Sequence, residues 1–282
     1  MLPESLKQST SKIIISTGNI LTVNKKTGQK PIEELFDCLH VTINDPVVKE
    51  DHGEICRNSD DLQEKISEHE RNSIKIGAKV FLNNNSVEYL DEAVSTLHRI
   101  LNVENLDNLI LAYHPKSGRV LNNTEVNSEQ KEGVLEWGGK SPQAVKELKQ
   151  LWSHLEGYAN KKKICQLGIS DLDVDTLREL YSSSSVHPVI TQINLSACCV
   201  VPPALQEFCN QNDIQLLTHS DPEVIVTEDT LSKLGLPAFI PTWTVRYQVH
   251  VKCRGLLTAK GYIMGAQRVN SSTHLNNVIK NL

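Results

Sequence analysis

The chain has 282 residues with 29 basic and 34 acidic side chains, and its net charge of −5 provides no positive surface for nucleic acid or an anionic membrane. No apolar run approaches the roughly 18 residues that span a bilayer, and the N-terminus lacks a hydrophobic signal region, so we expect a cytoplasmic protein. Seven cysteines without the spacing of a disulfide framework fit a reducing compartment.

The first quarter of the chain is irregular. Residues Lys12 to Ser16 form a β-branched run that predicts a strand, and the spacing of apolar residues after Pro31 predicts a helix of about three turns. Residues 44–60 are polar, and no convincing strand is predicted there. Asp60 is expected to cap a helix that continues to about Arg71.

Strands and helices alternate in the next part of the chain. Strands are predicted at Ser73–Phe81 and Leu106–Tyr113, with a helix at Val87–Leu101 between them. Residues 116–140 are rich in Asn, Ser, Gly and Glu, and we expect a flexible insertion. An amphipathic helix is predicted at Pro142–Tyr158.

The stretch from Lys161 to Ser220 has three continuous apolar runs, Ile164–Ile169, Val189–Leu195 and Ile214–Thr218. Runs of this kind are typical of strands that are covered on both faces. The intervening segments have helical spacing, so the order strand, helix, strand, helix, strand predicts a parallel sheet with crossover helices.

The pattern changes after a short helix predicted at Glu228–Leu234. Residues from Val245 to Arg254 alternate between apolar and polar with a period of two, which predicts a half-buried strand. A last strand is predicted at Gly261–Ala266, followed by a terminal helix. One α/β domain over residues 1–282, a (β/α)8 TIM-type barrel with an irregular N-terminal quarter, is the simplest interpretation because such barrels commonly have about 250 residues.

Several motifs resemble known families. Gly168-Ile169-Ser170-Asp171-Leu172 resembles the strand-five signature of the aldo-keto reductases, and Gln192 falls where their strand six carries a glutamine. The runs QINLSACCVVPPALQEF, DIQLLTHSDP and RYQVHVKCRGLLTAKGYI are similar to a divergent branch, the regulatory (modifier) subunits of glutamate–cysteine ligase.

The resemblance implies a site that has lost its catalytic acid. Aldo-keto reductases use an Asp and a Tyr after strand two, a Lys on strand three and a His on strand four, and the Lys lowers the pKa of the Tyr. Lys79 falls where the Lys is expected, whereas His114 is one residue late and the first tyrosine of the chain is Tyr89. We therefore interpret Lys79 and His114 as vestigial. A plain strand lysine paired with an acidic neighbour is the alternative for Lys79.

The cofactor residues are also changed. The resemblance places Ser170, Asp171 and Gln192 where reductases hold the nicotinamide carboxamide, but Asp171 replaces the usual Asn and His219 replaces a stacking Tyr. Arg268 is a candidate ligand for the adenosine phosphate. We expect no bound cofactor, with residual NADPH binding as the alternative.

The cysteines do not predict a metal site, because Cys-x-x-Cys is absent. Cys198, Cys199 and Cys253 are candidate thiols for a partner, and at least one of them is expected to react with an alkylating reagent before Cys165 or Cys209. The last two occupy apolar positions and are predicted to be core residues.

The resulting hypothesis is a non-catalytic regulatory subunit that forms a heterodimer with the catalytic subunit of glutamate–cysteine ligase. By resemblance, it would raise glutamate affinity and relieve feedback inhibition by glutathione. The partner is expected to contact Val245–Gly255 and Cys198–Pro203. An NADPH-dependent carbonyl reductase and a thiol-based redox scaffold are the alternatives.

Overall fold

A computed structural model describes residues 10–23, 28–49, 53–115, 141–194 and 200–269. The chain divides into two compact units, the first formed by Met1–Ile74 with Val224–Leu282 and the second by Lys75–Glu223. No helix in the described ranges is long and apolar enough to cross a membrane. The predicted insertion at 116–140 and the predicted terminal helix lie outside the described residues.

The second unit is a parallel α/β sheet. Its strands are β4 (Ile74–Leu82), β5 (Leu106–Tyr113), β6 (Ile164–Ser170), β7 (Ile190–Asn194) and β8 (Gln215–His219), paired in that order. The connecting helices are α3 (Val87–Leu101), α4 (Pro142–Asn160), α5 (Val174–Ser183) and α6 (Pro203–Gln211). The predicted strand–helix alternation is confirmed.

Local sequence sets the helix boundaries in this unit. The Ser86 side chain accepts a hydrogen bond from Tyr89 N at the start of α3, and the Ser141 side chain does the same for Ala144 N at the start of α4. Asp173 caps α5 by accepting from Asp175 N and Thr176 N. The apolar faces of these helices bury Leu97, Trp152 and other residues against the sheet.

Strand β8 differs from its prediction. Gln215 and Thr218 are exposed and the other residues of β8 are half-buried, so this strand is not covered on both faces. The physical reason is its position, because among the described residues only β7 pairs with β8. Continuous apolar sequence alone did not reveal which strand is last.

The first unit is mainly antiparallel. Its strands are β1 (Lys12–Ser16), β2 (Pro46–Lys49), β3 (Glu54–Arg57), β9 (Phe239–Val251) and β10 (Leu256–Arg268), and its helices are α1 (Pro31–Asn44), α2 (Leu62–Ser67) and α7 (Glu228–Lys233). A short 3₁₀ turn lies at Arg71–Ser73. Strands β9 and β10 form a long hairpin, and β10 also pairs with β1.

The alternating segment is confirmed as part of β9 up to Val251, whereas its last residues, Lys252 to Arg254, lie in a turn. Val245, Tyr247 and Val249 are fully buried, whereas the polar residues between them are half-buried. Tyr247 also explains why position 261 is a glycine. Its hydroxyl donates to the carbonyl of Gly18, and a Cβ on Gly261 would lie 2.1 Å from that same oxygen.

Two predictions for the first quarter were wrong. Residues 44–60 contain strands β2 and β3, which pair with each other, and β3 also pairs with β1. Each strand has only four residues with mixed polarity, so neither produces a recognisable apolar run. Helix α2 ends at Ser67, well before Arg71. The Asp60 carboxylate accepts hydrogen bonds from both Leu62 N and Asn19 N.

Candidate functional site

A polar cluster lies at the carboxyl ends of the strands in the second unit. Lys79 comes from β4, and the other members lie at or just beyond the ends of β5 to β8. These are His114, Ser170, Asp171, Asn194, His219 and Asp221. Side chains converge there because the carboxyl ends of parallel strands meet at one edge of a sheet, which is where α/β proteins usually bind ligands.

The centre of the cluster is a buried ion pair. Lys79 Nζ lies 3.0 Å from Asp221 Oδ2, and the two side chains are 4% and 2% exposed. The same ammonium group donates to Ser170 Oγ at 3.0 Å. Sequence analysis gave an acidic partner for Lys79 as the alternative to a vestigial role and did not identify Asp221. Its position two residues beyond β8 was the signal that it belongs to the same sheet edge.

Asp171 is a buried carboxylate surrounded by donors. One oxygen accepts from His219 Nε2 at 2.9 Å and from Asn194 N at 3.0 Å, and the other accepts from Ser170 Oγ at 2.8 Å and lies 3.3 Å from His114 Nε2. Its backbone is left-handed with φ of 64°. Burial raises the pKa of Asp171, but the hydrogen bonds from His114 and His219 outweigh this effect and hold the pKa well below its usual range.

The contacts of His219 fix which ring nitrogen carries the proton. Asp221 N donates to His219 Nδ1 at 3.0 Å, so Nδ1 is an acceptor. The proton therefore lies on Nε2, which faces Asp171 Oδ1 and Ser170 Oγ. The imidazole consequently connects the residues that follow β6 with those that follow β8.

The contacts of Ser170 do not fit the nucleophile of a hydrolase. Ser170, His219 and Asp221 contact one another in the order of a hydrolase triad. However, Ser170 is fully buried and its Oγ accepts from Lys79, so it is not placed to attack a substrate.

Within the described ranges, no group of three acidic, histidine or cysteine side chains could hold a metal ion.

The remaining predicted cofactor residues lie in different surroundings. The carbonyl of Gln192 accepts from Asp171 N at 2.7 Å, and its side-chain Oε1 is buried without a hydrogen-bond partner among the described residues. In the first unit, Arg268 Nε donates to the carbonyl of Thr10 at 2.8 Å, and its guanidinium lies 4.6 Å from the centre of the Phe239 ring. The cofactor roles of these residues, of Ser170 and of Asp171 stay predictions.

Tyr113, at the end of β5 next to His114, has the wrong properties for a reductase acid. Its hydroxyl donates to Glu147 Oε2 at 2.6 Å. Burial and the adjacent Glu147 carboxylate both raise the Tyr113 pKa above its usual value. A general acid for carbonyl reduction requires the opposite shift.

The cysteines agree only in part with their predictions. Cys209 is buried, which raises the pKa of its thiol to about 11, and Cys253 is exposed in the turn between β9 and β10. Cys165 was predicted to be a core residue, but it is exposed near the start of β6, because side chains alternate along a strand and the preceding Ile164 is the one that is buried. The order of alkylation stays a prediction, which the burial of Cys209 and the exposure of Cys253 support and the exposure of Cys165 does not. Cys198 and Cys199 lie outside the described residues.

The low pKa of Asp171 predicts a pH-dependent stability. The substitution Asp171→Asn keeps the left-handed backbone, which Asn tolerates, but removes the charge. We expect it to lower the free energy of unfolding at pH 7 by about 1–3 kcal/mol. Because the folded-state pKa is lowered, this stabilisation is present above the unfolded-state pKa near 4 and is lost as the pH falls below that value.

Urea unfolding of both proteins between pH 7 and pH 3 measures the effect. The difference between them should shrink below about pH 4, and a difference that stays constant down to pH 3 would contradict the assignment. Asp175→Asn is the control at pH 7, since this exposed carboxylate should contribute less than about 0.5 kcal/mol.

Comparisons with known proteins identify the family. The model of the aldo/keto reductase family matches residues 53–221. The glutamate–cysteine ligase regulatory subunit of Rattus norvegicus is 33% identical over 280 residues, which cover 93% of this chain and 94% of the relative. The regulatory subunit of Homo sapiens is 33% identical over 276 residues, which cover 91% of this chain and 93% of the relative.

A solved aldo-keto reductase of the silkworm Bombyx mori is 20% identical, with a TM-score of 0.40, and covers 57% of this chain and 44% of that one. The two regulatory subunits match this chain over almost their whole length. The chain thus belongs to the aldo/keto reductase family and, within it, to the regulatory subunits of glutamate–cysteine ligase.

Proposed function

We propose that this protein is the non-catalytic regulatory subunit of a glutamate–cysteine ligase, which binds the catalytic subunit, raises its affinity for glutamate and relieves feedback inhibition by glutathione. The observation that carries the proposal is the 33% identity to proteins of that name over 93% of the chain. A match of this length includes both units and is not restricted to the part that resembles a reductase.

The internal contacts of the polar cluster support a degenerate reductase site. A reductase lysine must be close to the tyrosine whose pKa it lowers, but Lys79 is paired with Asp221 and bonded to Ser170. Ser170 and Asp171, which would bind the nicotinamide carboxamide, are bonded to each other and to His219. Binding of NADPH there would first have to break these buried bonds, at a cost that the cofactor would need to offset.

An NADPH-dependent carbonyl reductase remains the competing function, and an absorbance assay tests it. We expect no oxidation of NADPH with aldehydes or quinones above the background rate, and no change in that rate for Lys79→Met. A known aldo-keto reductase serves as the positive control. Turnover that the substitution abolishes, in variant protein that circular dichroism shows to be folded, would establish a working reductase site and overturn this part of the proposal.

The surface first expected to meet the partner needs correction. The buried side chains of Val245, Tyr247 and Val249 are not available for an interface. In that segment the exposed part is the turn at Lys252–Gly255, and in the second predicted segment Val200 is 68% exposed. We retain only these two places as proposed contacts.

The cytoplasmic location is part of the same proposal. The five cysteines of the described ranges form no disulfide with one another, which fits a reducing compartment; they are Cys38, Cys56, Cys165, Cys209 and Cys253. Binding is tested by titrating fluorescently labelled protein with the catalytic subunit. Absence of binding at micromolar concentration would remove the functional assignment.

A further inference from the structure

The loop at residues 220–223, which follows β8, is held by the last residue of that strand. Asp221 N donates to His219 Nδ1 at 3.0 Å, so this ring nitrogen carries no proton. The same Nδ1 lies 3.4 Å from Asp221 Oδ2, and this carboxylate oxygen also pairs with Lys79 Nζ at 3.0 Å. One nitrogen of a ring that is only 6% exposed therefore faces both a backbone donor and a carboxylate acceptor of the same residue.

The charged groups around His219 belong to the second unit and come from several of its strands. The carboxylates of Asp171 and Asp221 face the ring directly, and they pair in turn with His114 and Lys79. With both histidines neutral, these groups comprise two carboxylates and one ammonium group. The low pKa of Asp171 keeps its carboxylate charged at neutral pH. A buried charge without a partner is unfavourable, so this charge balance favours the uptake of one proton by the cluster.

A proton on Nδ1 would reverse the contact between the ring and the loop. Nδ1–H and the Asp221 N–H would then be two donors that face each other, and a buried donor without an acceptor is unfavourable. Asp221 Oδ2 is close enough to accept from the protonated nitrogen. The loop consequently has two arrangements: its backbone N–H bonds to a neutral imidazole, or its carboxylate bonds to an imidazolium ion.

We propose that His219 is a pH-sensitive switch of the loop at residues 220–223, in which a proton taken up by Nδ1 expels the Asp221 N–H and makes the Asp221 carboxylate the new partner of the ring. Histidine is the side chain that ordinarily changes charge between about pH 5 and pH 8. The second unit ends at Glu223, so the switch acts where the chain leaves that unit. It concerns this chain alone and does not depend on the proposed regulatory function.

Amide NMR of the full chain between about pH 8 and about pH 5.5 tests the switch. We expect the Asp221 amide resonance to move in one transition. Its protection from hydrogen exchange, corrected for the intrinsic effect of pH, should fall about tenfold because the bond to Nδ1 is lost. His219→Asn is the matched variant, since an amide oxygen can replace Nδ1 as an acceptor and does not titrate. In this variant the Asp221 amide should not respond to pH.

His114→Gln is the control, because His114 Nε2 faces Asp171 Oδ2 and the glutamine amide can still donate there. The transition of the Asp221 amide should persist in this variant. A transition that persists in His219→Asn, or that is lost in His114→Gln, would overturn the proposal because another group would then drive the change.

A second measurement in the wild-type protein decides the question if His219→Asn does not fold. The ¹⁵N resonances of the His219 ring show directly which nitrogen carries a proton. We expect Nδ1 to become protonated with the same midpoint as the transition of the Asp221 amide. An Nδ1 that stays unprotonated down to about pH 5.5, or an Asp221 amide that does not change while Nδ1 gains its proton, would overturn the switch.

Discussion

Replacing Lys79 with methionine is expected to lower the free energy of unfolding by about 3–5 kcal/mol. The reason is the location of its partner, since the Asp221 side chain is only 2% exposed and would be left as a buried charge without its cation. The substitution also removes the donor to Ser170 Oγ. Urea unfolding at pH 7 measures this loss.

Two further variants separate charge from packing. Lys79→Met combined with Asp221→Asn should recover most of the lost stability, because removal of both charges leaves no buried ion without a partner. Lys75→Met, on an exposed residue of the same strand, should change the free energy of unfolding by less than about 0.5 kcal/mol. A loss for Lys79→Met no larger than that of Lys75→Met would contradict the buried ion pair.

Much of the second unit could be predicted from sequence because its strands are continuous apolar runs between helices with clear caps. The predicted strand at Leu106–Tyr113 agrees with β5 at both ends, and the helix at Val87–Leu101 agrees with α3. The alternation of apolar and polar residues around Tyr247 was equally clear, because a period of two indicates a strand with one buried face.

Elements that depend on distant contacts could not be predicted. Strand β3 has a buried glutamate, Glu54, and is a strand because it pairs with β1 and β2 and not because of its own composition. Cys165 lies within an apolar run, but its side chain is exposed although the preceding Ile164 is buried.

The location of the candidate site followed from family motifs, but its internal bonding did not. Sequence analysis noted that Asp171 replaces the usual Asn but did not foresee that His114, His219 and Asn194 would all donate to it. Such a network depends on distances between the ends of separate strands, and these distances are set by the tertiary fold.

The regulatory function predicts a reciprocal effect of glutamate on subunit binding. A non-catalytic partner can improve glutamate use only if it binds the glutamate-competent form of the enzyme more tightly than the incompetent form. Linkage then requires that glutamate strengthen the affinity between the subunits by the same factor. A tenfold factor corresponds to about 1.4 kcal/mol of coupling, which an ordinary interface can provide.

Titration of the labelled protein with the catalytic subunit, with and without saturating glutamate, tests this claim most directly. We expect the two subunits to bind at micromolar or lower concentration. Saturating glutamate should lower the dissociation constant of the subunits by the same factor by which this protein lowers the dissociation constant of glutamate. The coupling would be contradicted if this protein shifts the affinity for glutamate while the affinity between the subunits is the same with and without glutamate. No binding in either condition would contradict the regulatory function itself.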